Sequence, residues 1–432
     1  MLALFENELR KGTGVPLVLL KKNALQANDQ VTNIIFDGIL ETGSFDPQCE
    51  GLRGDYFYEI VLNYEGKDKI YPKVIKKFED MKENEYADIQ IAEFVSNMVK
   101  DNLYSKEKYY IKIDWYITKY RTEYIPGLKK IVKIDGIDAI KHYAKLLGKI
   151  VNDGEEHFVS GYLFFEDDLL PENDTENPTE MVEILKDEND DGINYYLEYI
   201  AKKEEKEHKP YKRPSFDKMK ENYERGKKAP PLLNWVRRAT DEEIDSLSDL
   251  YLKQKDASLK ASILRGFSET KIRVDEKYLW NELRKTRNLH YKSAIIEALI
   301  HFNNATVKDL VNKYFNNEIT RASAIKAFVK YMDEKDRCLL EYYIDGLSAG
   351  EIHGIITETI DCERIKQFYF YPMILRKLYE KNTCSICRKK IIKKMIEINY
   401  LDENLLEEIE LDCNKDIREI AYEYKNKSVA HG

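Results

Sequence analysis

The chain has 432 residues, 43% of them hydrophobic and 34% charged, which places it in the ordinary soluble class and makes it too long for one ordinary compact core. Its 69 Lys and Arg stand against 78 Asp and Glu, a formal charge of −9, so a polyanion is repelled unless bases gather locally. The apolar run at Met1 to Phe5 is shorter than a signal-peptide core or a membrane span, and six sparse cysteines do not make the framework of a small secreted domain; a cytoplasmic chain with reduced thiols is expected.

Residues 1–150 read as a helical N-terminal region. Apolar residues recur at helical spacing in Gln30 to Leu40, Leu52 to Leu62, Ile70 to Met81 and Ala87 to Val99, separated by turn signals such as Gly43-Ser44 and Asp46-Pro47. Ile111, Ile113, Trp115 and Ile117 alternate with mostly polar neighbours, a spacing that fits a strand and an aromatic helix equally well.

Residues 151–233 read as an acidic, then basic connector with short helices. Between Glu166 and Asp191 stand twelve acidic residues and one base, Lys186. Inside that window the sequence from Asp187 to Glu198 satisfies the spacing of a calcium loop. Asp187, Asn189 and Asp191 supply hard oxygens, Ile193 a carbonyl, Glu198 the closing carboxylate and Gly192 the sharp turn. Calcium is therefore the one cofactor the residues raise, with a solvated acidic loop as the alternative. From Lys202 to Pro231 the balance reverses to eleven bases against six acids, with four prolines, the composition of an exposed arm.

From residue 234 to 432 a pattern repeats. Leu259 to Phe267, Tyr291 to Leu299 and Thr320 to Phe328 superpose by type: a base (Lys260, Lys292, Arg321), later a small residue (Gly266, Ala298, Ala327), then a large apolar one (Phe267, Leu299, Phe328). The copies are offset by 32 and 29 residues, the length of a helix pair. A small residue lets two helices approach and the large one beside it fills the layer between them. Each copy follows an amphipathic segment with a helix-start signal at Thr240 with Glu243, at Asp275 and at Thr306. Asp416 to Ala421 carries a shorter run of the same kind. This region resembles HEAT and armadillo-like helical repeats, and the resemblance implies a mainly α fold with a HEAT-like α-solenoid in the C-terminal half. It also implies a habit of binding partners on the repeat surface and carries over no catalytic residues.

Two groups in this half are candidates for nucleic acid or an acidic partner. Residues 371–400 hold eight bases and two acids, and Lys389, Lys390, Lys393 and Lys394 fall largely opposite the apolar face of Cys387, Ile391, Met395 and Ile398. Trp235, Arg237 and Arg238 stand where the repeats begin; there the chain is similar to helical-repeat DNA glycosylases, which line a concave surface with aromatics and cations. The alternative for these three is capping the end of the stack. Cys384 and Cys387 have the spacing of half a zinc site, without a second half elsewhere. No phosphate-binding, dinucleotide, zinc-protease or nucleophile-elbow motif occurs, and no catalytic residue is assigned. The sequence thus points to a scaffold or adaptor that binds a macromolecular protein partner. The alternatives are a nucleic-acid binding or repair protein and a calcium-responsive interaction protein.

Overall fold

A computed structural model describes residues 1–82, 86–120, 125–154, 178–207, 213–225 and 232–430. Every regular element among them is helical, and the fold is mainly α. The chain forms two compact units. One comprises residues 1–210, 383–385 and 402–432; the other comprises 211–382 and 386–401.

The first unit is organised around one helix, Tyr86–Lys100, which is buried over most of its length (Ile91, Phe94, Val95 and Met98 among others). Helices Asp29–Leu40, Gly54–Leu62, Lys67–Glu79, Lys106–Tyr120 and Leu128–Asp135 pack around it. A helix enclosed on so many sides cannot stay amphipathic, so polar residues inside it must be satisfied. Gln90 is fully buried; its amide donates to the carbonyls of Ile39 at 2.8 Å and Glu41 at 2.9 Å and its oxygen accepts from Arg53 N at 3.2 Å. One side chain thereby closes the end of the Asp29–Leu40 helix. The window left between strand and helix lies inside Lys106–Tyr120: Ile113 and Ile117 face the core, while Ile111 and Trp115 are exposed apolar residues that imitate an alternating strand.

The same unit is completed by the C-terminal helices Glu403–Ile409 and Lys415–Ala430, so the Asp416 to Ala421 run packs here. Gly12, at φ 73°, ends the first helix, and its carbonyl accepts from Cys413 N at 2.9 Å. A Cβ on Gly14 would lie 1.9 Å from the Glu408 carbonyl oxygen, so the backbones meet where only glycine fits.

In the second unit the helices form a row. Leu232–Val236 packs on Ala257–Gly266, which packs on Leu289–Leu299, then Glu318–Tyr331, Ala349–Ile360 and Tyr371–Lys381. Gly266, Ala298 and Ala327 all sit in this row. A Cβ on Gly266 would lie 2.8 Å from Leu232 Cβ, and the two alanines are buried together with Phe267, Leu299 and Phe328. Between successive members stand Asp241–Lys253, Glu276–Lys285, Leu310–Tyr314 and Arg337–Asp345. Thr240 and Glu243 form a reciprocal capping box and Asp275 caps the next start, as the sequence suggests. At the third start the cap is Asn304 rather than Thr306, because Asn304 accepts from both the backbone N–H (3.0 Å) and the hydroxyl (2.7 Å) of Thr306.

Candidate interaction surface

The repeated bases of the second unit point into the packing. Lys260 is 7% exposed; its ammonium lies 2.7 Å from Glu282 and 2.8 Å from the Tyr278 hydroxyl, over the rings of Tyr251, Tyr278 and Tyr291. Burial alone would lower the ammonium, but Glu282 and Tyr278 outweigh it and raise Lys260 above its ordinary range. Burial likewise opposes ionisation of Glu282, yet its bonds from Lys260 and Tyr291 hold the carboxyl below the usual 4.5. Lys292 lies over the Tyr314 ring and Arg321 over the Phe315 ring. The same position therefore meets an aromatic each time.

Further cations bridge neighbouring members of the row. Arg237 reaches Glu269, 32 residues on; Arg273 reaches Asp241, 32 residues back; Arg321 reaches Glu351, 30 residues on; Lys377 reaches Asp345, 32 residues back. Arg364 and Lys308 converge on Asp333. The separations of these pairs, 30 or 32 residues, are close to the offsets of the repeated segments.

Pairs of this kind, together with pairs inside single helices, take up much of the charge counted between 371 and 400. Arg376 pairs with Glu380, Lys377 and Lys381 with Asp345, and Lys394 with Glu397, while Arg388 is fully buried. On the helix Ser385–Glu397, Lys390 and Lys393 are exposed and Lys389 and Lys394 half-buried. Cys387, Ile391 and Met395 are buried as expected; Ile398, just beyond the helix, is not, and Ile392 fills the core instead. The Cys387 thiol lies 3.3 Å from Nδ1 of His353.

Trp235 is 5% exposed. Its indole N–H donates to the Pro214 carbonyl at 2.9 Å and its ring is covered by the Arg213 guanidinium at 4.1 Å, so its face is taken by the protein itself. Arg237 is bound to Glu269, and Arg238 is exposed. Trp235 is on the first helix of the row, whereas the helix of Lys389 to Lys394 meets, through Cys387, His353 of Ala349–Ile360, several members along.

Residues 166–177 of the acidic window lie outside the described residues. Asp187 ends one helix and Asp191 begins another, Asp191–Glu207. Glu198 then stands seven residues along that helix from Asp191, about 10 Å of axial rise. Ile193 is buried. The turn is made by Asn189 at φ 49°, and Asp190 caps the helix at Gly192 N (2.9 Å) and Ile193 N (3.2 Å) while pairing with Lys145. Gly192 has a packing reason of its own: a Cβ on it would lie 2.9 Å from the Lys145 carbonyl oxygen, and one on Gly148 would lie 1.6 Å from the Gly192 carbonyl oxygen, a close crossing of Ile137–Asn152 and Asp191–Glu207.

The residues most available to a partner in the second unit are ones the sequence reading did not single out. On helix Arg337–Asp345, Leu340, Tyr343 and Ile344 are buried, whereas Leu339 is 46% and Tyr342 62% exposed. Tyr342 is backed by a cluster of tilted rings, its own 5.9 Å from the half-buried Phe315, which in turn lies 4.7 Å from the buried Tyr343. Glu341 at 2.8 Å and then Tyr369 hold the Arg337 guanidinium charged above its ordinary range. Tyr369 is itself 69% exposed. The helical period of 337–345 places Leu339 and Tyr342 off the core face, a signal hidden among 31 tyrosines.

Compared with family models, with curated proteins and with solved structures, the chain finds no match.

Proposed function

We propose that this protein is an interaction scaffold whose second unit is a HEAT-like α-solenoid, engaging a protein partner through the face that carries Arg337, Leu339, Tyr342 and Tyr369. The observation that carries the reading is two large exposed tyrosines around an arginine fixed by its own carboxylate. Tyr and Arg dominate binding energy because they bring area and directed hydrogen bonds at low conformational cost. A base buried against aromatics at each repeat and charge pairs one repeat apart support the stacked arrangement beneath that face.

The nucleic-acid reading has less support: Trp235 is covered, Arg237 is paired, and Lys390 and Lys393 form a small cationic remnant on their helix. Calcium control is supported by the spacing of Asp187, Asn189, Asp191, Ile193 and Glu198 alone, with Asp187 at the end of one helix and Glu198 seven residues into the next.

The test is a photo-crosslinking amino acid placed at Tyr342 of the full chain in its native host, with Tyr422, 69% exposed in the first unit, as the control position. One discrete protein adduct from position 342, absent at 422 and lost when Arg337→Ala and Tyr369→Ala are added, supports the scaffold. Equal adduct patterns at both positions would remove it.

A further inference from the structure

The first unit carries a surface of different chemistry. The helix Lys106–Tyr120 buries Tyr109, Ile113, Tyr116 and Ile117, and its opposite face exposes Lys108, Ile111, Trp115 and Lys119 at helical spacing. Ile111 is 70% and Trp115 38% exposed. An isoleucine so exposed beside an indole is not required by the core, which the other face of the helix already fills.

The sequence stretch that contains this helix is opposite in charge to the chain, although Glu107 is exposed on the same helix. Residues 106–150 hold eleven Lys or Arg against five Asp or Glu, whereas the whole protein is −9. Some of these bases are committed: Lys106 to Asp135, Lys130 to Asp55, Lys141 to Glu188 and Lys145 to Asp190. Lys108 and Lys119 have no carboxylate partner among the described residues. Lys112 donates to the carbonyls of Glu79 at 2.8 Å and Met81 at 3.1 Å, and the carboxylates of Asp88, Asp80 and Glu79 act on its charge.

The indole is set in a particular way. Lys112, from the preceding turn, lies 4.1 Å from its ring centre and Lys119, from the following turn, 4.7 Å, while Tyr120 meets it edge-on. A ring so occupied by ammonium groups is poorly placed to stack on a nucleobase. Its amphipathic edge, next to a protruding isoleucine and flanked by long cationic side chains, matches the boundary between lipid headgroups and acyl chains. There indole sits at headgroup level, an aliphatic side chain enters the hydrocarbon and lysines meet anionic phosphates.

We infer that this helix face docks the protein peripherally on an anionic lipid surface, with Ile111 and Trp115 inserted and Lys108 and Lys119 on the headgroups. It is a second surface, on the other unit, and does not depend on the partner proposed above.

The experiment is flotation of the full chain with vesicles of phosphatidylcholine alone or mixed with phosphatidylserine, at low and high salt. Binding is expected on the mixed vesicles at low salt and is expected to weaken as salt screens the headgroups. Lys108→Glu with Lys119→Glu, both exposed and outside the core, lowers the bound fraction on the order of tenfold, and Ile111→Ser with Trp115→Ser lowers it as well. Lys390→Glu with Lys393→Glu, on the other unit, leaves it unchanged, and circular dichroism confirms that each variant stays helical. Equal binding to neutral vesicles, no binding at low salt, loss caused by the 390/393 pair, or capture by single-stranded RNA in place of vesicles would each overturn the inference.

Discussion

The two units solve the same problem, burying helices, by different routes. The first encloses one helix, Tyr86–Lys100, and brings residues from both ends of the sequence into one core, as in the meeting of Gly12 with Cys413. The second repeats a local device, in which each helix of the row packs mainly on the previous and next members. The first kind of core should therefore fail as a whole, and the second neighbour by neighbour.

The largest effect is expected where backbones touch. Gly148→Val in the first unit drives a side chain into the Gly192 carbonyl and should cost about 3 kcal/mol or more, read as a large fall in the melting temperature of the unit as one transition. Gly14→Ala meets Glu408 in the same way and should destabilise the same transition. Tolerance of both would break the account of the first unit.

In the second unit, Lys260→Met leaves Glu282 half-buried beside Tyr291 without its cation and should cost about 2 to 3 kcal/mol, with Glu282→Gln in the same chain restoring part of it. The pair also has a pH signature. The Glu282 carboxyl lies below its ordinary value when folded, so its contribution is complete above about pH 4.5 and is lost as the pH falls through the lower folded value. Glu282→Gln should flatten the acid limb of thermal melts taken between roughly pH 3 and 6, and an unchanged limb would show that the bond does not hold.

Smaller still, Arg321→Ala removes one rung to Glu351, whose partly exposed geometry is worth about 1 kcal/mol. Measured in a double-mutant cycle, it should couple to Glu351 and not to Arg237, which lies farther along the row. Tyr342→Ala should leave stability within about 0.5 kcal/mol, because its ring is exposed, so any loss of a partner on that substitution is a loss of contact.

The difference between the units also explains what the sequence makes legible. The second unit's device is local and repeated, so Lys260, Lys292 and Arg321 and their small and large companions stand out by superposition alone. The first unit's closure depends on residues hundreds apart and has no periodic trace. Ile111 and Trp115 leave helix and strand equally open in the sequence because they are apolar yet exposed, beside the buried Ile113 and Ile117. For Trp235 the sequence leaves a binding surface and a cap of the stack both open, because the residues that cover it, Arg213 and Pro214, lie some twenty positions upstream. Around the calcium spacing at Asp187 to Glu198 the sequence does not reveal that one helix ends at Asp187 and another begins at Asp191, with Asp190 between them capping the second start.

Native-state hydrogen exchange on the full chain carrying Ala327→Leu addresses the stacked row most directly. Overpacking that buried position should strip protection from Glu318–Tyr331 and from its neighbours Leu289–Leu299 and Ala349–Ile360, while Leu232–Val236 and Ala257–Gly266 keep theirs. Protection lost evenly across the second unit, or lost first at Leu232–Val236, would contradict a row built from nearest neighbours.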